Sequence, residues 1–187
     1  MPDNGLLPSP RWKMNTHNFG WFKGDTVNVG VGQGYINATP IQLAYYSAFL
    51  ATKGNINKFS FVQDSKSASK NIFNSKNITN IDWDNIHESM IGVIESPKGT
   101  AGRLRSLKDY VIAAKSGTVE LVSTETKEDY QIIRETEGKR DHAIIIAFGP
   151  MPNPKYAISV VIENGESGGS VAGPVAVAVL NSLVKND

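Results

Sequence analysis

The chain contains no cysteine, which excludes a disulfide-stapled scaffold and a zinc–thiolate site. Histidine is nearly as scarce: His17, His87 and His142 are too few for a histidine-rich metal site, and we expect no metal and no cofactor. Neither sign of charge is in surplus, since 19 lysines and arginines face 18 aspartates and glutamates. Nucleic-acid affinity needs clustered surplus positive charge, so we expect no nucleic-acid partner.

Long hydrophobic runs are missing too. No apolar run approaches the ~20 residues that span a membrane, and no signal peptide opens the chain. Apolar residues make up 40% of the 187 residues and charged residues 20%, which is enough to bury a core. We therefore expect a soluble globular piece, corresponding to one domain or a large part of one.

The hydrophobic periodicity predicts three helices and three strands. The predicted helices lie at about 40–53, 84–96 and 172–185, and the predicted strands at about 110–121, 142–149 and 156–163. A turn at 151–154, rich in proline, joins the last two strands as an antiparallel pair. This order predicts an α/β chain of the α+β type, in which helices flank an antiparallel sheet.

Local signals define the ends of some elements. Thr39 is the predicted N-cap of the first helix, with Pro40 at its first position and Gln42 completing a capping box. Gly54 ends that helix, and Asp82 or Asp84 is the predicted cap of the second helix. The weaker expectations are an irregular but ordered arm at 1–26, a short strand at 58–63, a polar connection at 64–80 with a hairpin near Ile72-Phe73, and a charged excursion at 122–141 with a short helix at Tyr130–Arg134.

The segment Lys115-Ser116-Gly117-Thr118 is the strongest candidate site. An ammonium group, two hydroxyls and a glycine are unusual on an otherwise apolar strand, and together they can bind a carboxylate. Glycine inside a strand often marks close approach by a ligand or by another backbone. The structural alternative is that Lys115 extends along a sheet edge and Gly117 marks a bulge.

Other motifs carry less weight. Gly30-Val31-Gly32-Gln33-Gly34 is either a phosphate loop or a tight turn, and its spacing matches neither nucleotide-binding pattern. Ser170 lies where a nucleophile elbow would place its serine, but no histidine follows it. Ser67 and Ser75 begin S-x-x-K and S-x-N matches inside the polar connection, where chance matches are frequent. His142 is interpreted as a strand-edge residue.

Several segments taken together resemble the class B penicillin-binding transpeptidases of the elongation type, penicillin-binding protein 2. The resemblance covers nearly the whole chain, and its specificity lies in the order and spacing of modest matches. They are Pro10-Arg11-Trp12-Lys13, Gly24-Asp25-Thr26, Gly32-Gln33-Gly34-Tyr35, Ala38-Thr39-Pro40-Ile41-Gln42-Leu43-Ala44, Gly99-Thr100-Ala101, Ala114-Lys115-Ser116-Gly117-Thr118, Arg140-Asp141-His142-Ala143, Ala147-Phe148, Pro150 and Glu163-Asn164-Gly165.

The resemblance implies part of a serine β-lactamase-like fold and a D,D-transpeptidase that cross-links peptidoglycan stem peptides and is acylated by β-lactams. Such enzymes need S-x-x-K, S-x-N and K-[ST]-G motifs, and the family places the first two upstream of the segment that begins at Gly32. The residues before Gly32 contain neither motif, and the Ser67 and Ser75 matches come too late. Residues 1–187 are therefore expected to be the C-terminal portion of one transpeptidase domain, without its nucleophile and inactive alone.

The family roles carry over to one strand. Lys115 would face the terminal carboxylate of the substrate and tune the proton relay, and the hydroxyls of Ser116 and Thr118 would hydrogen-bond that carboxylate. Gly117 would let the substrate lie against the strand as an added strand, and the Thr118 backbone N–H would form half of an oxyanion hole. Glu120 is a departure, since relatives usually have glutamine there, and its carboxylate is expected to weaken or reshape carboxylate binding.

The resemblance also implies partners and a location for the parent protein: stem peptides, β-lactams and an elongation machinery with a membrane glycosyltransferase, with the catalytic domain on the periplasmic side of the inner membrane. The isolated chain is expected to self-associate, through exposed strand surfaces or by swapping the arm 1–26, because residues 144–146 and 160–162 are apolar on both faces. Two alternatives stay open: a noncatalytic carboxylate- or peptide-binding module built on Lys115–Thr118, and a self-sufficient serine hydrolase that uses Ser67 or Ser170.

Overall fold

The computed structural model describes residues 5–56, 59–60, 78–121, 130–132, 135–136 and 138–187. Its α-helices are α1 (Pro10–His17), α2 (Lys23–Gly30), α3 (Pro40–Ala51), α4 (Asn80–Glu95) and α5 (Gly173–Lys185), and its strands are β1 (Ala113–Val119), β2 (His142–Gly149) and β3 (Tyr156–Ile162). The described residues also contain a 3₁₀ helix at Gly102–Leu107, a π-helical turn at Gly168–Ala172 and a short helical segment at 130–132. The chain divides into two compact units, Met1–Gln42 and Leu43–Asp187.

In the first unit, the expectation of an irregular arm is wrong, because two helices form there. The hydroxyl of Ser9 caps α1 by accepting from the Trp12 N–H, and Pro10 takes the first position, where its missing N–H is not needed. The ammonium group of Lys13 is buried and donates to the Asp25 carboxylate at 2.6 Å. That bond, with a second from the Phe22 N–H, holds the pKa of Asp25 below its ordinary value of 3.8.

The glycine-rich segment after α2 is a tight turn. The N–H groups of Val31, Gly32 and Gln33 all donate back to carbonyls of α2. Gly32 and Gly34 have φ of 80° and 74°, which glycine adopts without strain. Because a phosphate loop needs its N–H groups directed at the ligand, this geometry supports the interpretation as a turn.

The predicted start of α3 is confirmed, whereas α3 ends two residues earlier than predicted and α4 begins four residues earlier than predicted. Thr39 and Gln42 form the predicted capping box, with the Thr39 N–H donating to the Gln42 side chain at 2.8 Å. The N-cap of α4 is Thr79, not Asp82 or Asp84. Asp82 is instead the third helical residue and accepts from the Thr79 N–H and hydroxyl, which lower the pKa of Asp82.

The sheet has the order β1-β2-β3 and is antiparallel throughout, as predicted. Ser116 pairs with Ile145 and Gly117 with Ile144 across β1 and β2. The structure confirms the predicted bounds of β2 and shortens the first strand from 110–121 to Ala113–Val119.

The core occupies both faces of β2. Ile145 is fully buried against α5 residues such as Leu180, whereas Phe148 is buried on the other face among residues of α4 such as Met90. The expected lack of cover is therefore wrong for β2. It holds for β3, whose residues are all only half-buried.

The remaining expectations concern short segments. Residues 57–58 and 61–77 lie outside the described residues, and with them the hairpin, Ser67, Ser75 and most of the short strand at 58–63. Residues 130–132 are helical as predicted, whereas Ile133 and Arg134 lie outside the described residues. The continuous helical segment Gly168–Lys185 has 18 residues and is, by length and composition, apolar enough to cross a membrane, but Ala176 and Leu180 within it are buried in the core.

Candidate functional site

The four candidate residues lie on β1, at the edge of the described sheet. Side chains alternate between the faces of a strand, so Lys115 and Gly117 share one face while Ser116 and Thr118 share the other. The only part of β1 that all four residues border is its backbone edge. The arrangement therefore suits a ligand that lies along this edge and not one that sits on a single face of the sheet.

On one face, Ser116 pairs with Thr100. Their hydroxyl oxygens are 2.8 Å apart, and either can donate. Thr100 follows the C-terminal end of α4, and its sequence signal is confined to the family match Gly99-Thr100-Ala101, which predicts no role for it. If Thr100 donates, the Ser116 hydroxyl can donate its own hydrogen bond to a ligand at the strand edge.

On the same face, the hydroxyl of Thr118 donates to the Glu166 carbonyl at 3.2 Å. A hydroxyl has a single proton, so Thr118 must rotate away from this carbonyl before it can donate to a carboxylate. Its backbone N–H needs no such rotation.

On the opposite face, Lys115 is exposed and its ammonium group donates to the Ser116 carbonyl at 2.5 Å. The side chain also lines an open pocket of about 360 Å³ between α4 and β1. Lys98 and Thr100 also line this pocket, as do Ser89 of α4 and Ser96, which is the C-cap of α4. The charged residues that line this pocket are Lys98 and Lys115, so it favours anions.

A second backbone does approach β1 at Gly117, but the glycine that this approach requires is Gly168, since a Cβ atom on Gly117 itself would lie 3.8 Å from its nearest neighbour. A Cβ atom placed on Gly168 would lie 2.1 Å from the Ile144 carbonyl oxygen and 2.5 Å from that of Gly117, and one on Gly169 would lie 2.5 Å from the Thr100 carbonyl oxygen. The π-helical turn therefore rests directly on the Gly117–Ile144 pair and on the Thr100 segment. This contact positions β1 relative to Thr100, and the spacing of the glycines in the sequence could not reveal it.

Ser170 and His142, the other candidate residues within the described part of the chain, make hydrogen bonds that stabilise local backbone turns. Ser170 belongs to the π-helical turn, where its N–H donates to the Ser167 hydroxyl at 3.3 Å. His142 begins β2, as predicted, and its Nδ1 accepts from the Asn164 N–H at 3.1 Å. That bond fixes the imidazole at the end of the strand.

The geometry can be compared with known proteins. The sequence model of the protein family "Penicillin binding protein transpeptidase domain" matches residues 2–181 of this chain. The chain belongs to this transpeptidase family. This match and the mixed helix and antiparallel-sheet fold agree with the resemblance found in the sequence.

Individual relatives give the same result. The peptidoglycan D,D-transpeptidase MrdA of Salmonella typhimurium is 34% identical over 188 residues, which cover 96% of this chain and 30% of the relative. MrdA of Acinetobacter baumannii is 37% identical over 90% of this chain and 26% of the relative. PBP2 of Helicobacter pylori, solved in complex with MreC, superimposes with a TM-score of 0.78 and 31% identity over 97% of this chain and 31% of that one. The chain thus spans less than a third of the length of these relatives.

Proposed function

We propose that this chain is the C-terminal part of a peptidoglycan D,D-transpeptidase that cross-links stem peptides and is acylated by β-lactams. The observation that carries the proposal is the Lys115–Thr118 segment on an edge strand, beside a pocket whose charged lining residues are both cationic. The family relationship favours this function over a noncatalytic binding module with the same carboxylate chemistry. It also favours an upstream nucleophile over a hydrolase based on Ser67 or Ser170.

In the proposed complex, the donor peptide lies along the exposed edge of β1 as an added strand, with its terminal carboxylate at Ser116 and Thr118. The Thr100 hydroxyl donates a hydrogen bond to the Ser116 hydroxyl, which in turn donates a hydrogen bond to the carboxylate. Thr118 turns its hydroxyl from Glu166 to the same group. The Lys115 ammonium supplies the charge on the other face of the strand, and the Thr118 N–H supports the oxyanion of the tetrahedral intermediate.

The nucleophile of the proposed reaction belongs to an upstream part of the parent protein. A serine nucleophile needs a rigid setting with its base held beside it. Residues 1–187 supply the carboxylate receptor, Lys115–Thr118, and half of the oxyanion hole. They supply no S-x-x-K motif upstream of Gly32, so in this proposal they are inactive alone.

In the full-length protein, we expect Lys115→Ala and Thr118→Val each to slow acylation by fluorescent penicillin by roughly 10- to 100-fold. The loss of one charge-assisted contact is worth about 1.5–3 kcal/mol when the contact tightens in the transition state. The second-order acylation rate constant, measured with matched thermal stability, checks this. Lys139→Ala, a change at an exposed lysine on another segment, should leave the rate constant unchanged, and wild-type rates in both site variants would remove the receptor role from β1.

We further propose that the parent protein works in the elongation machinery with a membrane glycosyltransferase, its catalytic domain on the periplasmic side of the inner membrane. The likeness to an H. pylori PBP2 that forms a complex with MreC supports an assembly of this kind.

The isolated chain is expected to self-associate. Val171, Val175, Val179 and Leu183 recur every four residues and are each 39–44% exposed, so they form an apolar stripe along the helical segment that ends in α5. A second copy could cover this stripe or pair with the half-buried β3. Light scattering over a dilution series should show a concentration-dependent rise in mass, and a strictly monomeric chain at high micromolar concentration would contradict this expectation.

A further inference from the structure

The pocket between α4 and β1 has a second cation that the family roles do not use. Lys98 lines it together with Lys115, and these are the charged residues of its lining. Among the described residues, no carboxylate or carbonyl accepts a hydrogen bond from the Lys98 ammonium group. The hydrogen bond that Lys98 makes with these residues runs from its backbone N–H to the Ser96 hydroxyl. Two lysines without a paired carboxylate in the lining of one pocket make a site for an anion.

The backbone that carries Lys98 is held in place. The Gly99 N–H donates to the Ser96 carbonyl at 2.9 Å, and the Ala101 N–H donates to the Val93 carbonyl at 3.0 Å. Gly99 is packed so tightly that a Cβ atom there would lie 2.3 Å from the Val93 carbonyl oxygen. The side chain of Arg105 holds the Ser96 carbonyl from the other side. Lys98 therefore projects from a fixed point on the rim of the pocket, which reduces the entropy lost on binding.

The chemistry of the proposed function indicates what reaches this pocket. Lys115 borders the pocket and, in the proposed complex, also supplies charge to the donor site from its face of β1. That terminal residue leaves when the acyl-enzyme forms, and an acceptor amine must then reach the same acyl carbon from the vacated side. The pocket adjoins that side of the site, because Lys115 belongs to both.

We propose that Lys98 binds a carboxylate of the acceptor peptide and so orients its amine toward the acyl-enzyme; this inference rests on the proposed function. In the step that it assists, the acceptor nitrogen bonds to the acyl carbon, the ester bond to the serine oxygen breaks, and one amine proton ends on that oxygen. The serine is regenerated and the cross-linking amide is formed. Lys98 takes no proton and acts as a substrate-binding residue.

The test uses the full-length protein, a thioester donor and two small acceptors that differ in one group. D-Alanine has an amine and a carboxylate, whereas D-alaninamide has the amine alone. In Lys98→Met, the D-alanine concentration that diverts half of the acyl-enzyme from hydrolysis to amide formation should rise about three- to tenfold, the range of a solvent-exposed charge contact. The value for D-alaninamide and the rate of acylation by benzylpenicillin should not change.

Two controls sharpen this result. Lys98→Arg should retain most of the preference for D-alanine, and Lys139→Met removes an exposed charge elsewhere and should change nothing. Added salt should reduce the difference between wild type and Lys98→Met, because exposed charge contacts are screened. Equal effects on the two acceptors, no effect on either, or slower penicillin acylation in Lys98→Met would each overturn the acceptor role. Failure of benzylpenicillin to acylate the wild-type protein would instead overturn the proposed function, and this inference with it.

Discussion

Benzylpenicillin is expected to leave the mass of the isolated chain unchanged, while the full-length protein takes up one drug molecule. Covalent capture needs a thiol or an activated hydroxyl, and the chain has no cysteine. Among the described serines, Ser47 is fully buried and bonds to the Ala147 carbonyl, and Ser116 bonds to Thr100. Neither bond joins the hydroxyl to a general base.

Intact-protein mass spectrometry checks this prediction. The chain and the full-length protein are incubated with the same excess of drug, and heat-denatured full-length protein serves as the control for nonspecific acylation. Ser67→Ala and Ser170→Ala variants of the chain test the hydrolase alternative. A drug-sized mass increase on the native chain that either variant abolishes would establish an internal nucleophile and contradict the proposal that the chain is inactive alone.

Gly168→Ala is expected to lower the free energy of unfolding by about 3 kcal/mol or more, the upper part of the range for overpacking. The new methyl group would lie within 2.1 Å of the Ile144 carbonyl oxygen and 2.5 Å of that of Gly117. Both atoms belong to the paired backbones of β1 and β2, so no side-chain rotation relieves the contact. The π-helical turn must move off the sheet, and the buried Ala172 beside it must move as well.

Thermal and denaturant unfolding measure this effect, which corresponds to a fall of roughly 6–12 °C in Tm for a chain of this size. The control is Gly92→Ala, since Gly92 lies inside α4 and no heavy atom lies within 4 Å of the added Cβ. That change should be neutral or raise stability by up to about 1 kcal/mol. Equal stabilities of the two variants would show that the turn does not rest on the Gly117–Ile144 pair. In the full-length protein, Gly168→Ala should also slow acylation, because β1 loses its support.

The elements that the sequence predicts well are those whose signals are local. The capping box at Thr39 and Gln42 and the apolar run of β2 each lie within one short segment, and both are confirmed. The first 26 residues show how a local signal can be overlooked. Ser9 followed by Pro10 is a standard helix start, but the density of prolines and aromatic residues favoured an irregular arm.

The parts of the candidate site that could not be predicted depend on contacts between distant segments. The sequence marks Thr100 as a family residue, yet only the fold brings its hydroxyl to Ser116. Likewise, the packing of Gly168 on Gly117 joins residues 51 positions apart. The opposite orientation of Lys115 and Ser116 does follow from strand alternation, and it agrees with the expectation that the ligand lies along the strand as an added strand.

The central claim is that the edge of β1 receives the carboxylate of the ligand. A crystal structure of the full-length protein acylated by benzylpenicillin tests it most directly. We expect a drug molecule that lies along β1, with its carboxylate about 2.6–3.2 Å from the hydroxyls of Ser116 and Thr118 and with the Thr118 hydroxyl turned away from the Glu166 carbonyl. A drug carboxylate that contacts neither hydroxyl, with Thr118 still bonded to Glu166, would contradict the claim.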